Sequence, residues 1–224
     1  TIEIADPETP ALLDELVARL DQFDLAVFVS PNAAHRALAL IRARGDLPAR
    51  LRIAAVGSGT VRALNDLGCA KVLAPAGRFD SEALLELPEL NDVAGKSIAI
   101  FRGAGGRELL GETLRARGAR VEYAECYRRV RPRADAGALL RRWARGELDI
   151  VTATSTEGLQ NLYELLGPGG REYLLKTPIV VVSARLAQAC RALGFEHEPL
   201  VAQAASDEAV LETLKAWRAR QNTL

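Results

Sequence analysis

Much of this chain is written twice, about one small domain apart. Leu25-Ala-Val-Phe-Val-Ser30-Pro-Asn and Asp149-Ile-Val-Thr-Ala-Thr-Ser155-Thr-Glu are both apolar runs that end in serine and feed an amphipathic stretch. Val56-Gly-Ser-Gly-Thr60, leading to Ala63, Leu64 and Gly68, matches Val182-Ser-Ala-Arg185, leading to Ala192, Leu193 and Gly194. Ser81-Glu-Ala-Leu-Leu85 matches Ser206-Asp-Glu-Ala-Val-Leu211. Ser30 to Ser155 is 125 residues, Val56 to Val182 is 126, and Ser81 to Ser206 is 125. Three matches in one order at one spacing read as a duplicated domain, because solenoid units run only ~20–50 residues. Two similar lobes leave a cleft, and clefts between domains are preferred ligand sites.

Short β-branched runs alternate with helical patterns, which is the mark of α/β folds with parallel sheets. Strands are expected at 25–30, 52–56, 71–74, 98–102, 120–124, 149–154, 179–183 and 199–202. Helices are expected at 10–20, 32–44, 60–67, 81–87, 107–117, 136–145, 157–166, 185–193 and 207–219. Ser81 and Ser206 each precede a carboxylate and an apolar helix, so both read as N-caps. The expected fold is two similar flavodoxin-like lobes, 6–122 and 133–224, with connectors at 1–5 and 123–132. Two crossings form a two-segment hinge that allows closure on a ligand while limiting free rotation. The second lobe lacks the strand–helix–strand that the first adds after its repeated part. Residues upstream of Thr1 are expected to supply it, since a sheet without it leaves an open edge.

Net charge is formally zero over 224 residues, so no global basic footprint for nucleic acid exists. No apolar run approaches the ~18 residues of a membrane span, and no signal peptide is recognisable. Cys69, Cys126 and Cys190 are odd in number and without CxxC spacing, which fits free thiols in a reducing, cytoplasmic setting. His35 and His197 stand apart from other ligand types, so no metal site is expected.

The residues that can carry chemistry lie where strands give way to helices, the side on which α/β sheets bind ligands. Ser30-Pro31-Asn32 and Ser155-Thr156 occupy equivalent turns, where helix-start N–H groups favour carboxylates or phosphates. Both also fit plain helix caps. Gly57-Ser58-Gly59-Thr60 opens another helix, with Ser183-Ala-Arg185 as its counterpart; no lysine follows, so it is not a P-loop. Arg102-Gly103-Ala-Gly-Gly-Arg107 carries two arginines able to pair carboxylates bidentately, or simply a solvated loop. Tyr127, followed by Arg128, Arg129, Arg131 and Arg133, falls on the second connector. On residues alone it reads as a ring packed at a joint with its hydroxyl wet. No GxSxG elbow, no HExxH and no histidine beside a nucleophile is present.

Taken in this order, the motifs resemble the uroporphyrinogen-III synthase family across nearly the whole chain. The resemblance rests on Ser30-Pro-Asn, Val56-Gly-Ser-Gly-Thr60 with Ala63-Leu64, and Phe79-Asp-Ser81-Glu-Ala-Leu84. It continues through Arg102-Gly-Ala-Gly-Gly-Arg107-Glu-Leu-Leu110, Tyr127, and Ser155-Thr-Glu-Gly-Leu159 with Asn161-Leu162. The family's N-terminal strand and helix have no counterpart here, the same piece that the repeat leaves out; Ser183 stands where the family commonly has glycine. The resemblance implies a monomeric, cofactor-free enzyme that closes linear hydroxymethylbilane to uroporphyrinogen III, inverting the last pyrrole through a spiro intermediate. It implies Tyr127 as general acid and Ser30, Pro31, Asn32, Ser58, Gly59, Thr60, Ser81, Arg102, Gly103, Arg107, Ser155, Thr156, Ser183 and Arg185 as substrate-binding positions. The competing class is a non-catalytic two-lobed receptor for a small anion.

Overall fold

The computed structural model describes residues 2–221. Thr1 of the expected first connector and residues 222–224 of the expected second lobe lie outside the described residues. The chain divides into two compact units, one of Ile4–Val130 and one of the residues from Arg131 onward together with the stretch up to Glu3.

The first unit is built on strands β1 (Glu3–Ala5), β2 (Leu25–Phe28), β3 (Arg52–Ala55), β4 (Val72–Leu73), β5 (Ser97–Gly103) and β6 (Arg120–Val130). They lie in the order β1-β6-β5-β2-β3-β4. The pairs β2–β3, β2–β5, β3–β4 and β5–β6 are parallel. The chain runs outward from β2 in both directions. Within the expected α/β class with parallel sheets, β2–β6 follow the order 3-2-1-4-5.

Helices α1 (Pro10–Ala18), α2 (Pro31–Arg44) and α3 (Ser58–Asp66) cover one face, where Leu13, Leu16, Leu38, Ile41 and Leu64 meet Phe28 and Phe101. Helices α4 (Ser81–Leu85), α5 (Pro88–Asn91) and α6 (Leu109–Ala116) cover the other, through Leu84, Leu90 and Leu114 against Val27, Ile98 and Ile100. Strand β2, buried along its whole length, needs both layers, as a parallel strand does. Ligand crevices form at the carboxyl ends of strands where the order reverses. Here that point is between β2, whose helix leaves on one face, and β5, whose helix leaves on the other.

In the second unit β7 (Val151–Ala153), β8 (Ile179–Val181) and β9 (Leu200–Val201) form a parallel sheet in chain order. Helices α7 (Gly137–Ala144), α8 (Thr156–Lys176), α9 (Ala184–Leu193) and α10 (Asp207–Gln221) complete it. Trp143 Nε1 donates to Thr177 Oγ1 at 2.9 Å, and Thr177 Oγ1 donates to the Tyr173 carbonyl, tying α7 to the end of α8. No residue of α10 is buried.

Three local expectations change. Asp80, not Ser81, caps α4: its carboxylate accepts from Ala83 N at 2.7 Å, and Ser81 is the first helical residue. The helix expected to stop at 166 continues to Lys176. Gly167 breaks the ladder at φ 62°, ψ −178°, and Pro168 starts the chain again as helix, where its missing N–H is no loss. The strand expected at 120–124 runs on to Val130, through the stretch read as connector.

Candidate active site

A cavity of 380 Å³ opens at the β2/β5 reversal, lined by the ends of β2, β3, β5 and β6 and by the 102–107 turn. Its walls include Ser30, Ser81, Arg102, Gly103, Arg107 and Tyr127. The turn closes through Gly105 at φ +70° and Gly106 at φ +115°, conformations that side chains rarely adopt.

Tyr127 owes its position to a β-bulge. Arg102 pairs with Glu125 but Gly103 pairs with Tyr127, so Cys126 is the extra residue on β6. A regular strand alternates faces, which would set Tyr127 with Tyr123 and Glu125. The bulge turns it instead to the side where Ala124 and Cys126 pack. There Tyr127 is 3% exposed, its hydroxyl 3.0 Å from Ser30 Oγ. Gly103 makes room for it: a Cβ on Gly103 would lie 2.7 Å from ring carbons Cε2 and Cζ. The Ala104 N–H donates to the Tyr127 carbonyl at 2.7 Å, locking both strands at this point. Burial pushes the adjacent Cys126 thiol up to about 12, so it stays protonated beside the site.

Ser30 has two tasks, because its Oγ also accepts from Ala33 N at 3.2 Å as the cap of α2. With that cap made and no N–H on Pro31, this helix start has few free donors. The start of α3 is the opposite: Gly57 caps it without a side chain. Ser58 there is exposed, Thr60 is buried, and a Cβ on Gly59 would lie 3.7 Å from Pro31 Cγ, so the two helix starts are neighbours. Pro31 and Asn32 are exposed in the first turn of α2; neither they nor Ser58, Gly59 and Thr60 line the cavity.

The arginines are held by glutamates. Arg102 is 12% exposed, with Nη1 2.7 Å from Glu108 Oε1 and Nη2 3.6 Å from Glu125 Oε1. Its guanidinium sits 3.8 Å above the Tyr123 ring, an arrangement worth ~0.5–1 kcal/mol or more when shielded from water. The Tyr123 phenol and the Arg102 guanidinium hold the Glu108 carboxyl below its usual range. Burial first, then the nearby Glu108 carboxylate, push the Tyr123 phenol up. Gly111 on α6 exists for this ring, since a Cβ there would run into the Tyr123 hydroxyl. Arg107 pairs with Glu82, whose carboxyl is held low by that hydrogen bond. Arg129 lines the cavity, is exposed, and has no ion-pair partner among the described residues.

In the second unit Ser155 caps α8 through Gly158 N at 3.0 Å and Ser183 caps α9 through Leu186 N at 3.3 Å. Ser155 lines a 260 Å³ pocket with Thr152, Thr154 and Leu159. Thr156 and Arg185 are exposed in first helical turns. Among the described residues, no group of three His, Cys, Asp or Glu could hold a metal ion, and no helix is long and apolar enough to cross a membrane. Sequence reasoning missed Tyr123, Glu108, Glu125 and Gly111. The alternation Val121-Tyr123-Glu125 along a strand was the available signal for two of them.

Fold and crevice define the class: a two-lobed α/β protein with parallel sheets and a polar cavity at a strand-order reversal. The family model described as uroporphyrinogen-III synthase HemD matches residues 1–212. The chain is 41% identical over 214 residues to the uroporphyrinogen-III synthase of Salmonella typhimurium, covering 95% of this chain and 86% of that one. It is 40% identical over 210 residues to that of Escherichia coli, covering 93% and 85%. A crystal structure of a mutant uroporphyrinogen III synthase from Thermus thermophilus shares the fold at TM-score 0.59 and 23% identity, covering 100% of this chain and 88% of that one. The chain belongs to the uroporphyrinogen-III synthase family.

Proposed function

We propose that the chain carries out the uroporphyrinogen-III synthase reaction, a cyclising lyase step of tetrapyrrole biosynthesis, with hydroxymethylbilane as substrate. The observation that carries this is the 41% identity to a named synthase along 95% of the chain.

The 380 Å³ cavity suits the chemistry in three ways. Its phenol, Tyr127, is buried and fixed, so it can give a proton to the departing hydroxyl of the bilane as water leaves. General acids of this kind contribute ~10²–10⁴-fold. The resulting azafulvene is attacked by the substituted carbon of the last pyrrole, giving the spiro intermediate. One bond then breaks and another forms at the free position. The proton lost from that carbon on rearomatisation returns to the phenolate, so Tyr127 ends as it began. Second, Arg102, Arg107 and Arg129 stand around the phenol to receive substrate carboxylates. Third, the competing spontaneous closure without inversion needs no catalyst, so positioning decides the product. Orientation of this kind is worth ~7–11 kcal/mol when reacting atoms are held near attack distance.

A balanced net charge favours a small-molecule substrate over nucleic acid, and three free, buried cysteines favour a cytoplasmic setting. The test is to generate hydroxymethylbilane in situ with the purified chain, oxidise the products and separate the porphyrin isomers. Predominant type III is expected. Type I alone from the folded protein overturns the reading and leaves the anion-binding receptor.

A further inference from the structure

Resting on the assignment of the cavity to the substrate, we propose that Glu108 is a resident carboxylate that occupies Arg102 in the empty protein. An incoming substrate carboxylate must displace it, and Glu108 thereby sets how tightly the cavity takes its substrate.

The argument starts from how rigid Arg102 is and how poorly it is satisfied. Its side chain is 12% exposed and stacked on Tyr123, whose ring is seated against Gly111, so the guanidinium is fixed in place. Arginine pairs carboxylates best through two parallel N–H···O bonds to one partner. Here that fork is split. Glu108 takes one terminal nitrogen at 2.7 Å and Glu125 approaches the other at 3.6 Å. The remaining donor, Nε, is buried with no partner. A mobile carboxylate able to take two donors at once improves on what the resident glutamates achieve.

Glu108 is also free to leave. Its side chain is 45% exposed, so it gives up little buried contact on turning away. It stands at the N-cap position of α6, yet its side chain makes no capping bond there. Once displaced, its carboxylate can swing toward the free N–H groups of that first turn, where the helix dipole favours negative charge. The exchange replaces one carboxylate on Arg102 by another, and its cost to substrate binding is the worth of a half-exposed ion pair.

The test is steady-state kinetics of type III formation for wild type, Glu108→Gln, Arg102→Gln and the double variant. Removing the resident charge is expected to lower KM about two- to fivefold, the span for half-exposed pairs, without a matching fall in kcat. In the Arg102→Gln background the same change is expected to do nothing, because the pair acts as a unit. A rise or no change in KM for Glu108→Gln overturns the proposal, since a structural prop for Arg102 predicts the rise. A fall in KM that persists without Arg102 overturns it too, by making the effect general repulsion. Wild-type formation of type III is read in the same assay, so failure of this inference is distinct from failure of the proposed function.

Discussion

The two units begin alike and end unlike. In each, a strand closes on a serine whose hydroxyl caps the next helix: Ser30 onto Ala33 N and Ser155 onto Gly158 N. The repeat therefore supplies the same turn twice. Among the described residues, only at Ser30 does the cap also meet a phenol, and that phenol arrives on β6, a strand outside the repeated segments. Among the described residues the other sheet has three strands, with β7 at its edge, and no tyrosine meets Ser155. Duplication gave the molecule two serine-capped helix starts. On the proposed reading, the chemistry came with the unrepeated strand, its bulge at Cys126 and the glycine that receives the ring.

The strongest way to break this comparison is Tyr127→Phe. The ring keeps its seat against Gly103, and Ser30 keeps its cap, so the stability cost is that of one hydrogen bond, ~1 kcal/mol. Turnover is expected to fall ~10²–10⁴-fold, read as the rate of type III formation. An unchanged rate removes Tyr127 as proton donor and with it the functional distinction between the units.

Two glycines offer a matched pair. Gly103→Ala sets a methyl 2.7 Å from the Tyr127 ring, and Gly170→Ala sets one 2.6 Å from Leu140 Cδ2 and 2.9 Å from Leu166 Cβ. Each overpacks its own unit by ~1–3 kcal/mol, measured as a shift in urea midpoint. Per folded molecule, only Gly103→Ala is expected to lose turnover steeply, because only there does the displaced group belong to the cavity. Equal losses would show that the asymmetry is one of packing alone.

Much of this was legible in the sequence, and what was not has identifiable causes. The serine and glycine punctuation located nearly every strand and helix, because caps and αL stops are local: Gly194 at φ 91° ends α9 where expected. The bulge was invisible. Cys126 is no turn residue, and the register slips only because β5 and β6 lie side by side. Gly167-Pro168-Gly169-Gly170 reads as a full stop, yet tertiary packing of Leu166 and Leu174 around Trp143 holds helix on both sides of the break. Tyr127 was found through a resemblance; its partners Ser30 and Gly103 were picked out for other reasons. Tyr123 and Glu108 escaped because their roles arise from stacking and ion pairing across elements, which spacing along one element cannot show.

The serines sharpen the comparison further. Ser30→Ala and Ser155→Ala each remove one cap, for ~1 kcal/mol, and thermal melts are expected to show similar losses. Ser30→Ala also frees the Tyr127 hydroxyl, 3.0 Å from Ser30 Oγ, so its turnover is expected to drop more than that of Ser155→Ala. If Ser155→Ala lost as much, the second unit's turn would be taking part in the reaction on equal terms.

The smallest effect is electrostatic and can be followed with pH. In the first unit Arg19, just past α1, grips Glu122 on β6 through two bonds, 2.8 and 2.5 Å. In the second, Arg191 meets Glu198 on the open surface. The Arg19 hydrogen bonds hold the Glu122 carboxyl below its usual range against the opposing effect of burial, with the Arg19 charge adding to them. A depressed carboxyl contributes stability that is present above its unfolded value, ~4.3, and is lost as pH falls through the folded one. Glu122 is 44% exposed, so solvent screening holds the pair to ~0.2–1 kcal/mol. Glu122→Gln is therefore expected to lower the urea midpoint at pH 7 and to match wild type near pH 3. Glu198→Gln should move the midpoint less, because both partners of that pair are more exposed. High salt should shrink both differences, since exposed pairs are screened within about one Debye length, ~3 Å at 1 M. A Glu122 effect that survived at pH 3 would mean the carboxyl serves β6 by the geometry of its hydrogen bonds and not by its charge.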